Sequence, residues 1–128
     1  MIMSHSRELL IGNWFGQSMT TDNQQSFEQA FFSSDGSFEF IFSSYHPNGE
    51  LSEQVTEFGD WGIVGDIHFT FTKMMMSDDQ SYIADLADAD NYQAYRVLQL
   101  NNQRFAYQHV VSGEQYALVR VTDEVGHC

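Results

Sequence analysis

The feature that most constrains the fold of this chain is a succession of short, aromatic-rich runs, each ended by residues that favour tight turns. The clearest example is the pair of runs at residues 26–34 and 37–45, which are separated by Asp35-Gly36. Glycine readily adopts the positive φ that a tight primed turn requires. This stretch therefore predicts a β-hairpin.

The second of these runs also predicts which of its faces is buried. Phe38, Phe40 and Phe42 occur at every second position, so their rings share one face of a strand. We expect that face to point into the core. A parity break near Gly59 predicts a bend or a bulge in a later, longer strand. The predicted strands are residues 10–20, 26–34, 37–45, 50–64, 67–74, 92–100, 104–111 and 115–122.

Eight sequential strands joined mostly by short reversals predict an all-β fold, an eight-stranded antiparallel up-and-down barrel. Such a barrel removes exposed strand edges by closing on itself. A β-sandwich is the alternative. Residues 77–91 interrupt the pattern, and we expect a loop or a single helical turn there, crossing one end of the barrel. A length of 128 residues predicts one domain, residues 1–128.

The charge of the chain argues against two classes of partner. Eighteen acidic and five basic side chains give a formal net charge of −13, which repels phosphate backbones and anionic lipids. We therefore expect neither nucleic acid nor membrane as a partner, and the sequence leaves a homodimer open. The one cysteine, Cys128, allows no internal disulfide, and no run has signal-peptide or membrane-spanning length. A cytoplasmic protein is expected.

Two positions near opposite ends of the chain resemble a known family. The Gly12-x-Trp14 pair on the first predicted strand is similar to the Gly-x-Trp of lipocalins and the wider calycin group, and Arg120 on the last strand matches the arginine that stacks across that tryptophan. Residues 32–38 and 59–66 also look like the small bacterial lipocalin-like domains. The resemblance implies a β-barrel in which Gly12, Trp14 and Arg120 have a structural role at the closed end.

The chain also departs from these relatives. It lacks the disulfide and the signal peptide of secreted lipocalins, and it lacks the helix–turn–helix that caps fatty-acid-binding proteins, so extracellular transport is not expected. The Gly12-x-Trp14-x-Gly16 spacing, with an available histidine, bears a thinner resemblance to haem-binding barrels of the nitrobindin type. Haem is kept as a minor alternative, and otherwise no cofactor is expected.

An eight-stranded barrel is wide enough either to be filled by side chains or to hold one small ligand. The predicted inward aromatic rows suit both uses, as core or as the walls of an apolar cavity. We expect a small hydrophobic or amphipathic ligand. The candidate ligand-binding residues are Phe40, Phe42, Phe69, Phe71, Tyr95, Arg96, Tyr107 and His109.

Arg96 and His109 are the polar members of this set. Arg96 lies between Ala94 and Leu98 on an apolar strand face, where an arginine must find an anion or reach solvent. It either binds a ligand carboxylate inside the barrel, or it is an edge residue whose charged end extends to solvent, or it belongs to an internal salt bridge. His109 shares its parity with Tyr107, so it is either a hydrogen-bonded structural group or a ligand contact.

No pattern in the sequence demands catalysis. The histidines lack metal-ligand spacing, and the acidic residues between 85 and 90 lack the glycine and distal glutamate of a calcium loop, so no metal is expected. No nucleophile elbow, phosphate loop or dinucleotide fingerprint is present. We predict non-enzymatic binding of a small molecule, with a filled barrel acting as a protein-interaction module as the alternative. An enzyme would require a strongly perturbed acid or base facing the cavity.

Overall fold

A computed structural model describes residues 7–19, 25–77 and 80–121 of the chain. Within these ranges, no helix is both long and apolar enough to cross a membrane. The elements are the helical turn α1 (Arg7–Leu10), the strands β1 (Gly12–Met19), β2 (Gln25–Phe32), β3 (Ser37–Tyr45), β4 (Leu51–Val64), β5 (Ile67–Ser77), β6 (Gln80–Ile83), β7 (Tyr92–Leu100), β8 (Arg104–His109) and β9 (Gln115–Arg120), and a 3-10 turn (Ala89–Asn91).

The strands form a closed antiparallel barrel. Strands β1 to β5 pair in sequence order. Strand β5 also pairs with β7, β7 pairs with β8, and β8 pairs with β9. The barrel closes where β9 returns to β1, with Trp14 opposite Arg120 and Phe15 opposite Val119. Strand β6 pairs only with β5 and lies outside the closed set of eight. The predicted eight-stranded barrel is confirmed, and the sandwich alternative is wrong.

The Asp35-Gly36 hairpin forms as predicted between β2 and β3. Gly36 has a φ of +93°, a conformation that costs a glycine little, and the Asp35 carboxylate accepts hydrogen bonds from the backbone N–H and the hydroxyl of Ser37, at 2.9 and 2.7 Å. This turn fixes the register in which Phe32 faces Phe38. The rings of β3 are thereby directed to the inside.

The chain enters the barrel through a helical turn that the sequence analysis did not predict. The first strand begins at Gly12, because residues 7–10 form α1. Leu10 is fully buried, and its carbonyl accepts a hydrogen bond from the Trp14 indole at 2.8 Å. Thr20 and Thr122, the predicted ends of the first and last strands, and Cys128 lie outside the described residues.

The segment predicted as a loop or a single helical turn, residues 77–91, contains a strand as well as a turn. Strand β6 returns along the end of β5 as a hairpin, with Ser77 opposite Gln80, and the 3-10 turn then leads into β7. The Asp88 carboxylate caps this turn by accepting a hydrogen bond from the Asp90 N–H at 3.0 Å. The predicted single helical turn is therefore present, and β6 is an addition to the prediction.

Two irregularities change which side chains face inward. The pairing of β4 with β5 shifts at Phe58/Gly59, where β5 holds Lys73 as an extra residue. The pairing is therefore irregular at Gly59, as predicted, but the extra residue lies on β5 and not on the long strand β4. The pairing of β7 with β8 shifts between Val97 and Gln99, where Leu98 is the extra residue. An extra residue reverses the alternation of inward and outward side chains along its strand. In β5 and β7, the inward-facing positions are therefore even-numbered on one side of the extra residue and odd-numbered on the other.

Arg120 closes one end of the barrel. Its guanidinium lies 4.3 Å from the centre of the Trp14 ring, and its nitrogens donate to the carbonyls of Ile11 at 2.9 Å, of Asn102 at 2.7 Å and of Leu9. Together these contacts tie α1, β1 and β9 to one side chain. We call this the closed end.

Gly12 makes room for this arginine. Its φ is +129°, and a Cβ atom there would lie 2.5 Å from Nη1 of Arg120. A larger residue would be strained in its own backbone and would displace the guanidinium. The filling of the closed end consists of buried aromatic and aliphatic side chains, chiefly Leu10, Trp14, Phe32, Phe38, Trp61 and Phe105.

Candidate functional site

A cavity of about 250 Å³ occupies the other half of the barrel. It opens at the end formed by the start of β9 and the 3-10 turn, since Tyr116 and Asp90 border it. Its walls combine aromatic and polar side chains: Phe32, Phe40, Phe42, Tyr95, Phe105, Tyr107 and Tyr116 with Glu28, Glu57, His68, Thr70, Thr72 and Gln93, and with Ala30 and Leu118 between them. Pockets for drug-sized ligands usually measure roughly 300–1,000 Å³, so this cavity suits a smaller molecule.

Two glutamates reach the cavity from neighbouring parts of the wall. Glu28 lies two positions before the buried Ala30 on β2, so both side chains face inward. Glu57 lies opposite Phe40, which itself faces inward from β3. The Thr72 hydroxyl donates a hydrogen bond to the Glu57 carboxylate at 2.8 Å. This bond fixes Glu57 across the β4–β5 pair.

Glu28 has the most perturbed carboxyl among the described residues. Burial disfavours its charged form, the Glu57 carboxylate adds repulsion, and a hydrogen bond from the Tyr107 hydroxyl offsets part of both, so the pKa of Glu28 rises to about 7. A group with this pKa exchanges a proton near neutral pH. Glu28 is therefore both an anion that can bind a cation and an acid that can donate a hydrogen bond.

His68 forms the floor of the cavity. Its side chain is 2% exposed, and its ring packs against Phe32, Tyr95 and Phe105 with centroid distances of 5.2, 5.8 and 5.5 Å. Nδ1 lies 3.3 Å from the Gly62 carbonyl, and because a carbonyl only accepts, Nδ1 carries the proton. Burial lowers the pKa of His68 to about 4, so the ring is neutral at physiological pH with Nε2 unprotonated.

The tyrosines of the wall stay protonated and serve as hydrogen-bond donors. Burial, with Glu28 nearby, raises the pKa of Tyr95 and of Tyr107 well above the ordinary value. The hydrogen bond to Glu114, at 2.6 Å, is the main cause that raises the pKa of Tyr116 to about 12. Tyr107 stacks between Phe105 and Tyr116, at 4.4 and 5.3 Å, which makes this side of the cavity a continuous aromatic surface.

Four of the eight candidate ligand-binding residues line this cavity. Phe40 and Phe42 do so from β3, Tyr95 from β7 and Tyr107 from β8. The structure thus brings the aromatic members of β3, β7 and β8 together around one space.

The expected inward orientation of Phe69 and Phe71 is wrong. On β5 the inner positions belong to His68, Thr70 and Thr72, which are all buried. Phe69 instead covers Gly62 from outside, where a Cβ atom would lie 2.4 Å from its ring. Phe71 stacks on Tyr92 at 5.8 Å on the same outer surface.

Arg96 also points outward, so the expected carboxylate-binding arginine inside the barrel is wrong. Its Nη1 lies 2.8 Å from Oδ2 of Asp66, and 57% of its side chain is exposed. The extra residue Leu98 explains the error: it lets Leu100 face inward although Arg96, four positions earlier, faces out. An internal salt bridge is also wrong, because the pair with Asp66 lies on the outer surface; the Arg96 side chain extends to solvent.

His109 follows the inner parity of β8 but serves the adjoining turn. Its Nε2 donates to the Gln93 side-chain carbonyl, and Nδ1 accepts from the N–H groups of Val111 and Ser112 at 3.2 and 3.0 Å. Both nitrogens are therefore occupied by protein groups. His109 borders an outer groove beside Phe69 and Phe71, outside the cavity.

The two histidines nearest the cavity, His68 and His109, do not fit haem. The cavity that His68 borders is smaller than pockets for drug-sized ligands, and His109 has both nitrogens bonded to protein groups. Over the part of the chain that the structure describes, no three histidine, cysteine or acidic side chains converge in a way that could hold a metal ion.

The comparisons with known proteins agree with this architecture. A crystal structure of a lipocalin-like protein from Bacteroides uniformis superposes with a TM-score of 0.54 and 17% identity, covering 88% of this chain and 99% of that one. The chain has a lipocalin-like fold. No family model matches the sequence, and no curated protein shows significant similarity to it. At this identity the likeness bears on the fold, and the chemistry of the lipocalin-like barrel must be argued from its own residues.

Sequence reasoning missed most of the polar residues of the cavity wall. Glu28 shares the parity of Ala30 and Phe32, and this signal was available, but Phe27 and Phe31 on the other face are equally apolar. Others face inward at positions that only the pairing of neighbouring strands decides: Glu57, His68, Thr70, Thr72 and Gln93.

Proposed function

We propose that this lipocalin-like barrel binds a compact amphipathic molecule in its cavity without changing it chemically. The observation that carries the proposal is the cavity itself, which is open at one end, walled by aromatic rings and provided with a few convergent polar groups. Small-molecule sites in proteins have this composition, in which apolar walls supply affinity and a few polar atoms fix orientation. The chain's single cysteine, which allows no internal disulfide, supports a cytoplasmic place of action.

The division of the barrel into two halves supports binding over a purely structural interior. The closed end is packed with large side chains, whereas toward the open end the walls stand around free space. A filled barrel acting as an interaction module would have no reason to direct two carboxylates into such a space, because burial makes the charged form of Glu28 costly.

Native mass spectrometry of the freshly purified protein, beside its denatured mass, tests the proposal first. A recurrent additional mass that is released on denaturation is the expected result. Phe40→Ala should then weaken binding of the released molecule about tenfold or more, because it removes a ring from the cavity wall.

Phe71→Ala is the matched control, since it removes an equal ring from the outer surface. Its affinity should stay within about twofold of the unsubstituted protein, and circular dichroism should show both variants folded. Equal losses of affinity in Phe40→Ala and Phe71→Ala, or no loss in either, would contradict binding in the cavity.

A second candidate function is acid–base catalysis on the bound molecule, and the raised pKa of Glu28 specifically favours it. An acid that titrates near neutral pH inside a cavity is suited to transfer protons. The two functions are separated by incubating the captured molecule with the protein and recovering it. Unchanged recovery supports a binding protein. Conversion that is lost in Glu28→Gln, with binding retained, would show an enzyme.

A further inference from the structure

The cavity has an acidic interior without a basic counterpart. Both Glu28 and Glu57 line it, and the hydroxyls of Tyr107 and Thr72 donate to them, respectively. These donors stabilise negative charge without neutralising it. A cavity with two carboxylates therefore has a negative potential that a ligand can complement.

All five basic side chains of the protein lie among the described residues, and none of them lines the cavity. Lys73 pairs with Asp60 at 2.6 Å and Arg96 with Asp66, both on the outer surface. Arg7 lies 4.7 Å above the Trp61 ring at the closed end. The others are the closed-end Arg120 and the exposed Arg104. The protein thus leaves the positive charge of the cavity to a ligand.

The aromatic walls suit a cation as well. Phe40 and Phe42 line the cavity from β3, and Tyr116 lines it from β9. The face of an aromatic ring carries partial negative charge and attracts ammonium groups, most strongly where water is excluded. Carboxylates and aromatic rings in one cavity therefore select the same kind of ligand.

Two buried polar groups point to an occupant. Thr70 is 4% exposed and His68 2%, both line the cavity, and neither the Thr70 hydroxyl nor Nε2 of His68 has a hydrogen-bond partner among the described residues. Every fully enclosed side-chain nitrogen and oxygen in those residues does have a partner. The two unpaired atoms must therefore be accessible from the cavity, as acceptors for a donor inside it.

We propose that the cavity selects a compact organic ammonium ion, with its charged group at Glu28 and Glu57 and its apolar part against the aromatic walls. This inference rests on the proposed function and adds the chemical class of the ligand. A primary ammonium has three N–H donors and no acceptor, which matches a wall rich in carboxylate, hydroxyl and imidazole acceptors. Its charge also removes the repulsion between the two glutamates.

Binding should depend on pH through Glu28. The titratable groups that face it from the surrounding elements are Glu57, His68, Asp90, Tyr95, Tyr107 and Tyr116. Because the pKa of His68 is lowered to about 4 and those of the three tyrosines are raised, these four stay neutral between pH 5 and 8. With the pKa of Glu28 near 7, the carboxylate fraction at pH 5 is about one hundredth, so affinity for a cation should fall by up to about 100-fold from pH 8 to pH 5.

Three probes of one shape test the charge preference. The probes are 2-phenylethylamine, 2-phenylethanol and phenylacetate, which share a phenyl ring on a short chain and carry a positive, a neutral and a negative group. Isothermal titration calorimetry at pH 8 should show the amine binding at least about tenfold more tightly than the alcohol, with phenylacetate weakest. The amine should show the fall in affinity at pH 5.

The double variant Glu28→Gln with Glu57→Gln should lose at least about tenfold in amine affinity at pH 8, and Glu50→Gln is the control because Glu50 is exposed in the β3–β4 turn. Circular dichroism verifies folding. Any of four results would overturn the ammonium assignment. They are equal binding of alcohol and amine, a preference for phenylacetate, full amine affinity in the double variant, and no amine binding at millimolar concentration. The proposed function is decided separately, by native mass spectrometry and the Phe40→Ala comparison, so the two failures are distinguishable.

Discussion

Replacing Glu28 by glutamine should stabilise the ligand-free protein, and by more at pH 8 than at pH 4.5. Glutamine keeps the shape of the side chain and an oxygen that accepts from Tyr107, but it carries no charge. In the unsubstituted protein the Glu28 carboxylate must exist beside Glu57 at high pH. The substitution removes that repulsion and the cost of burying the charge.

The magnitude follows from the pKa of Glu28 in the two states. It is about 7 in the folded protein and 4.5 in the reference state, so folding favours the protonated carboxyl. This contribution to stability is complete below pH 4.5 and is lost as the pH rises through 7. At about 1.4 kcal/mol per pKa unit, the loss reaches up to about 3 kcal/mol above pH 7.

Urea unfolding followed by tryptophan fluorescence provides the assay, because Trp14 and Trp61 are both buried in the barrel. The free energy of unfolding of Glu28→Gln, relative to the unsubstituted protein, should increase by up to about 3 kcal/mol between pH 4.5 and pH 8. Glu50→Gln removes an exposed carboxylate and should show a change below about 0.5 kcal/mol over the same range. A difference for Glu28→Gln that does not change with pH would refute the raised pKa.

Three further predictions concern other parts of the barrel. His68, whose pKa is lowered, should titrate near pH 4 in NMR spectra, and its resistance to protonation should reduce stability as the pH falls from 6.5 to 4; titration above pH 6 would contradict its burial. Arg120→Ala should lower the free energy of unfolding by about 2 kcal/mol or more in urea titrations. Arg120→Lys should recover only part of it, because one ammonium nitrogen cannot replace three guanidinium nitrogens that each bond a different carbonyl. Arg96→Ala should change stability by less than about 1 kcal/mol and leave amine affinity unchanged, since its exposed pair with Asp66 lies outside the barrel.

Local patterns were sufficient to predict the architecture. The Asp35-Gly36 turn and the alternation of Phe38, Phe40 and Phe42 depend on interactions within a few residues, and both occur as expected. The contact of Trp14 with Arg120 joins opposite ends of the chain, and it followed from a resemblance of spacing to lipocalins. Features that are set within one strand or one turn can thus be inferred from sequence.

The inner face of β5 could not be inferred in this way. Hydrophobicity favours the face that carries Phe69 and Phe71, yet the inner face carries His68 and Thr72. Cross-strand partners decide the matter: the Thr72 hydroxyl bonds Glu57, while Phe69 covers a glycine of β4 from outside. Such partners depend on the register between strands, which the sequence of one strand does not contain.

The orientation of Arg96 failed for a related reason. Counting alternate positions along β7 assumes an unbroken strand, and the extra residue Leu98 breaks it between Arg96 and Leu100. No glycine or proline marks this position, so the bulge has no local signal.

The bonds of Arg120 also have a consequence for the order in which the chain can fold. Its guanidinium meets carbonyls that lie 109 and 111 positions earlier, so the seal of the closed end joins almost the first described residues to almost the last. During synthesis β1 must wait with one unpaired edge until β9 has left the ribosome, and exposed strand edges are sites of aggregation. Contacts of such high sequence separation also slow folding. A nascent chain that stops before β9 should therefore depend on chaperones, whereas the finished barrel should not.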